Sequence, residues 1–340
     1  MKITMVGTSG SGKTVFAAGV YAKLMKRTFE KFRIIPRGKD YSQELIALHR
    51  FAIDYKSLAE KQWPPGTTET KYFELDLIYN GKSIAYFDWI DYRGGFLDDP
   101  TLDPDKASEV HANIVASDAV ILFADAEAIC KYEDINEATY RSGAEAIIAL
   151  LDAYSINYPD NNLTFLIALT KADAIGSEWH GENHSFSPLI ERGLQIFEPL
   201  IESTLQREKK WRGGILPVST LGLGNVDRNG KITGFINPFN IEHVIMYCLG
   251  SILRLHQENL LDSIIREDET IEEIKEKYKG FWGVMKKTYQ QLRGTYSDGD
   301  ILNEMKKERE QDRKELKKIH HAIEPLERIA LRKIRIISNG

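Results

Sequence analysis

The residues Gly7-Thr8-Ser9-Gly10-Ser11-Gly12-Lys13-Thr14 carry the clearest chemical signal in the chain. The glycines let the backbone turn tightly enough for successive N–H groups to face inward, where they form a concavity that suits an anion. Ser9, Gly10, Ser11, Gly12, Lys13, Thr14 and Val15 would supply those groups at the start of a helix, whose dipole favours negative charge. Lys13 would neutralise β- and γ-phosphate oxygens, and the Thr14 hydroxyl would bind Mg²⁺. A glycine-rich turn that binds nothing has no packing need for Lys13-Thr14. The cradle alone does not choose between adenine and guanine.

Later stretches make that choice. "FLIALTKAD" ends an apolar run with Thr170-Lys171-Ala172-Asp173. A carboxylate at Asp173 can accept from both N1–H and the exocyclic amino group of guanine, whereas adenine presents no such pair of donors. Lys171 would lie over the base. In "FDWIDYRGG", Asp91-Tyr92-Arg93-Gly94 places a carboxylate where it can hold a Mg²⁺-bound water, with the Gly94 N–H approaching the γ-phosphate. "WPPGTTET" offers Thr67 or Thr68 to complete the Mg²⁺ coordination, and spacing back from the Asn80-Gly81 turn favours Thr68. "ILPVSTLG" places Ser219-Thr220 in a small polar loop suited to the guanine carbonyl.

These residues need a scaffold of strands and helices, and the pattern supplies one. "KITMVG" reads as a strand and Val15 to Leu24 as a helix. Tyr41 to Gln62 suggests one or two helices ended by "WPPG", where two prolines and a glycine cannot continue one. "KYFELDLIYNGKSIAYFDWID" reads as two strands joined at Asn80-Gly81, the strongest short hairpin signal, and gives the sheet one antiparallel edge. A helix around Lys106 to Ala116 and a strand "DAVILFAD" follow. Next come a long helix from Asn136 to Tyr154, a strand "LTFLIALT", and a helix from Ser187 to Lys210. A strand "GGILPVST" and an amphipathic helix "NIEHVIMYCLGSILRL" close the alternation. Continuous apolar runs mark buried parallel strands. The expected fold is α/β, a doubly wound and mostly parallel sheet over residues 1–262 with an insertion at about 31–64. Residues 263–340 lack a strand signal and read as a helical extension, with Pro325 forcing a kink or restart.

With five landmarks in order, residues 1 to about 260 resemble a Ras-like GTPase domain of the P-loop class. The tryptophan-proline-threonine loop and "DYRGG" are similar to a prokaryotic group of GTPases encoded beside regulatory or conflict-system partners. The resemblance implies GTP and GDP as ligands with Mg²⁺, and two loops ordered by the γ-phosphate. Lys13, Thr68, Asp91 and Gly94 become the catalytic set, and Thr14, Thr68 and Asp91 the metal set. Many Ras-like proteins place a glutamine directly after D-x-x-G to orient water, and here that position is Gly95. Unaided hydrolysis should be slow. Arg93, Asp98 or Asp99 could substitute, or a partner could insert an arginine.

Composition narrows the remaining roles. A net charge of −5 and pI near 6.0 give no general attraction to nucleic acid. Cys130 and Cys248 show no metal or disulfide spacing. No run of about 18 apolar residues occurs and strand residues begin at Lys2, so the sequence reads as cytoplasmic. His180 and His184 in "WHGENH" lack the glutamate position of a zinc protease and read as loop. His320-His321 read as solvated. The stripe Tyr278, Phe281, Trp282, Met285, Tyr289 and Leu292 among lysines could meet an anionic membrane surface or a partner groove. Docking on the core is preferred, because apolar stripes at this spacing are most often core. The mixed charge of Glu304 to Lys318 reads as a solvated face and leaves homodimerisation through it open. The expectation is a GTP-dependent switch acting on an effector or activating protein, against the alternative of a nucleotide-holding scaffold that works through its C-terminal helices.

Overall fold

The computed structural model describes residues 1–25, 28–37, 71–91, 95–98, 104–207, 210–219, 238–260 and 298–338. Thr67, Thr68, Arg93, Gly94, Asp99 and Thr220 lie outside the described residues, as do the helices expected between Tyr41 and Gln62 and the stripe from Tyr278 to Leu292. The chain divides into two units, Met1–Ile252 with Leu326–Gly340, and Leu253–Pro325.

The first unit is built on an eight-stranded sheet in the order β2-β3-β4-β1-β5-β6-β7-β8. Its strands are β1 (Lys2–Val6), β2 (Phe32–Pro36), β3 (Lys71–Tyr79), β4 (Lys82–Asp91), β5 (Ala119–Asp125), β6 (Leu163–Thr170), β7 (Trp211–Pro217) and β8 (Arg335–Ser338). From β4 to β7 the neighbours run parallel. The helices of this unit are α1 (Lys13–Val20, continued by a wider turn over Tyr21–Met25), α2 (Gly95–Asp98), α3 (Pro104–Val115), α4 (Ala126–Lys131), α5 (Ile135–Arg141), α6 (Ala144–Asn157), α7 (Ser187–Ile196) and α8 (Glu198–Gln206). They are joined by the first part of α9, 241–260. This is the doubly wound, mostly parallel α/β sheet expected of a P-loop GTPase fold.

The central strands are buried along their whole length, β6 without exception, because helices cover both faces. Alternate side chains divide between those faces. Val120, Leu122 and Ala124 join a core with Ile114 of α3, Leu151 of α6 and Leu189 of α7. Phe123 faces the other way and meets Phe16 of α1 edge-on at 5.1 Å, and Phe16 in turn meets Trp89 at 6.3 Å. The hairpin forms at Asn80-Gly81, where φ of 50° and 77° allow the mirror-image turn that matches strand twist.

Several elements depart from the sequence pattern. Both sheet edges are antiparallel, because β2 adds to β3 at one side and β8 to β7 at the other. β2 lies inside the expected insertion, and β8 lies in the region expected to be helical. Each is short, four or five residues, and β2 ends in a proline, so neither raises a strong alternation signal. The helix expected from Asn136 to Tyr154 is two helices, broken where Gly143 turns left-handed at φ 79°. The helix expected from Ser187 to Lys210 breaks at Phe197, since Pro199 is tolerated only in a first turn. α9 is buried on every side from 241 to 250, so it is a core helix at its start and not an amphipathic one.

In the second unit, His256 Nε2 lies 2.9 Å from Glu315 Oε1, and Gln257 Nε2 lies 3.0 Å from His320 Nδ1. α10 (Asp298–Leu331) continues through Pro325 without a restart, and the boundary between the units falls there. His320 and His321 are exposed, as expected.

Candidate functional site

β1 has β4 on one side and β5 on the other, so the chain reverses its winding there. Ligands of open α/β sheets bind outside the carboxyl ends of the strands at such a point. The strand registers put the residues singled out from sequence along that edge. Met5 of β1 aligns with Asp91 and with Ile121, Asp125 with Thr170, and Leu169 with Pro217.

Directly after β1, Gly7 to Gly12 make the turn. Gly10 and Gly12 have φ of 73° and 92°, left-handed values that a side chain disfavours. A Cβ on Gly7 would stand 2.7 Å from Ser11 Oγ and 2.8 Å from Phe123 Cβ, so no larger residue fits. Lys13 is 5% exposed as a residue, and its ammonium donates to the carbonyls of Gly7 at 2.6 Å and Thr8 at 2.8 Å, with Ser11 Oγ at 3.3 Å. The cation is thereby held within the turn. Ser9 and Gly10 are exposed at its rim, Ser11 is buried beneath, and Thr14 and Val15 lie in the first turn of α1. A buried lysine held by a turn with two left-handed glycines, Gly10 and Gly12, suits a polyphosphate.

The loop after β6 is tied to this turn. The Thr170 hydroxyl is buried within 2.8 Å of the Ser11 carbonyl and 3.0 Å of the Ala124 carbonyl. Its side chain therefore braces the glycine turn. Lys171 adopts a left-handed backbone, φ 55°, and its carbonyl accepts from the Ala174 N–H at 2.9 Å. Two residues on, Asp173 is half-buried, and burial raises its pKa above the usual carboxylate value while a side-chain hydrogen bond from Ser219 opposes that rise. Ser219 is itself buried and pairs through its backbone with Phe239 at 3.0 and 3.3 Å. The Asp173 carboxylate and the polar loop after β7 are thus neighbours.

Asp91 ends β4 and is 1% exposed, beside the strand that feeds the turn. Among the described residues no three His, Cys, Asp or Glu side chains gather as a metal site. Mg²⁺ in a nucleotide site is commonly held by one or two protein oxygens plus phosphates, and the buried carboxylate of Asp91 suits that donor set. Gly95 opens the four-residue helix α2. His180 follows the short 3₁₀ turn Ser177–Trp179, and Glu182–His184 forms another on the loop before α7, as the sequence suggests.

Two features were not found from sequence. Asp125 caps α4, its Oδ1 accepting from the N–H groups of Glu127 at 2.9 Å and Ala128 at 3.3 Å, while its Oδ2 lies 2.5 Å from Lys171 Nζ. An aspartate followed two residues later by a glutamate signals the cap, but nothing in the pattern links it to a lysine 46 residues away. Gly143 abuts the glycine turn after β1, since a Cβ there would stand 2.5 Å from Thr8 Oγ1.

No protein-family model matches the chain, and no curated protein matches it in sequence. Among solved structures, a chain of the signal recognition particle receptor SRb-GTP/SRX complex from Chaetomium thermophilum is similar over 66% of this chain and 92% of that chain. The identity is 15% and the TM-score 0.36, so the functional reading rests on the residues of this chain alone.

Proposed function

We propose that the protein binds and hydrolyses GTP as a molecular switch that controls a protein partner. The observation that carries this reading is the physical union of the two recognition loops: Thr170 bonds to the phosphate loop at Ser11, and Asp173, three residues on, is held by Ser219. These contacts support a phosphate cradle and a base-selecting carboxylate that act together at one edge of the sheet.

In this reading, N–H groups from Ser9 to Val15 and the Lys13 ammonium bind the phosphates, and Asp173 selects guanine through its two donors. Ser219 and Thr220 complete the base pocket, and Lys171 flanks the ring. Thr14, Thr68 and Asp91 would hold Mg²⁺, which supplies charge neutralisation on the β and γ oxygens. Thr68 and the Gly94 N–H sense the γ-phosphate and change the order of their loops when it leaves. Gly95 offers no side chain to orient water, so intrinsic turnover is slow and an activating partner accelerates it.

Gly95 also favours a second reading, a scaffold that keeps its nucleotide as a structural ligand and acts through its C-terminal helices. Among the described residues no helix is long and apolar enough to cross a membrane. Titration of the purified protein with GTP, GDP and ATP tests the first claim: guanine nucleotides should bind tighter than ATP by about a hundredfold or more, because a site built around buried hydrogen-bonding groups rejects a base that leaves them unpaired. Equal ATP affinity would refute it. Single-turnover measurement with Mg²⁺ then separates the readings, since a scaffold returns its GTP uncleaved.

A further inference from the structure

Asp125 is an acidic group in direct contact with Lys171 that the nucleotide reading leaves without a role. Its main chain is anchored, with its N–H donating to the Ser142 carbonyl at 3.1 Å, one residue before the glycine that abuts Thr8. Its carboxylate is divided between two tasks. Oδ1 caps α4, a task that a serine or asparagine performs equally well. Oδ2 meets the Lys171 ammonium at 2.5 Å, with the two side chains 39% and 19% exposed for lysine and aspartate. That second contact requires a charge and a reach that the cap does not.

Lys171 is held at its other end as well, by a left-handed backbone closed through the Ala174 N–H. A lysine stem normally loses much rotamer freedom when it is ordered. Here both ends of the stem are fixed by the protein, so its methylenes present a preformed apolar flank and little ordering is left for nucleotide binding. We propose that Asp125 is a positioning residue that pins Lys171 for stacking against the purine and thereby slows nucleotide release. This rests on the guanine-nucleotide reading.

The test uses the full chain loaded with mant-GDP and Mg²⁺, and follows release on chase with excess GDP. Asp125→Asn keeps the shape and the cap and removes the charge, and Asp125→Ser keeps only the cap. Each should raise the release rate by about fivefold in the Lys171 background, the scale of a partly exposed ion pair. In the Lys171→Met background neither should change it. An equal rise in both backgrounds, or no rise in either, overturns the proposal and leaves guanine binding intact. If the unsubstituted protein fails to bind mant-GDP, the nucleotide reading fails first and the proposal with it. Thermal unfolding of the nucleotide-free variants should match the unsubstituted protein closely for Asp125→Asn, because the cap survives.

Discussion

In the proposed site Asp173 would need to be ionised to accept both guanine donors, and its own burial works against that. The bond from Ser219 partly restores the charged form. GDP affinity should therefore fall on acidification from a higher pH than an ordinary carboxylate would set, and Ser219→Ala should move that onset higher still. Fluorescence titration of mant-GDP across a pH series checks both. His243 gives a second pH signature, in stability. Burial, followed by the nearby Lys333 and Arg332, holds its pKa down at about 4 against 6.5 in the unfolded chain. Between those values the unfolded state binds the extra proton, so stability rises with pH and is lost as pH falls from about 6.5 towards 4, by up to about 3 kcal/mol. His243→Gln should flatten that slope in urea unfolding. At this scale the sequence displays Thr170 to Asp173 plainly, since contiguous residues carry the motif. It conceals the Asp125–Lys171 pair, because a strand register brings the two together and no local pattern records it.

The elements that carry these residues are legible where one signal dominates. The Asn80-Gly81 hairpin and the apolar runs of β5 and β6 form where periodicity and turn chemistry place them. Helix breaks are less visible, because α5 and α6 share one continuous apolar spacing and only Gly143 interrupts it. That glycine is doubly constrained, by its left-handed backbone and by Thr8 beside it. Gly143→Ala should cost about 1–3 kcal/mol in denaturant unfolding, with strain and the displaced Thr8 both contributing. Weakened mant-GDP binding should accompany the loss, since Thr8 supplies a carbonyl that holds Lys13.

Over the whole molecule, the chain closes its sheet with a strand drawn from beyond the second unit. β8 follows α10 and pairs antiparallel with β7, the strand that delivers Ser219. Ile334, 7% exposed, fills the space left by Gly214, where a Cβ would stand 2.6 Å from its Cγ2. Ile334→Ala should destabilise the first unit by about 2–3 kcal/mol, read by urea unfolding. Composition could not reveal this closure, because four strand residues after a 34-residue helix of charged periodicity carry too little pattern. The central claim, that this assembled edge reads guanine through one carboxylate, is tested most directly by comparing mant-GDP and mant-XDP affinities of the unsubstituted protein and Asp173→Asn. The account predicts that the preference inverts, because an amide presents a donor where xanthine carries a carbonyl. Retention of GDP preference by Asp173→Asn would contradict it.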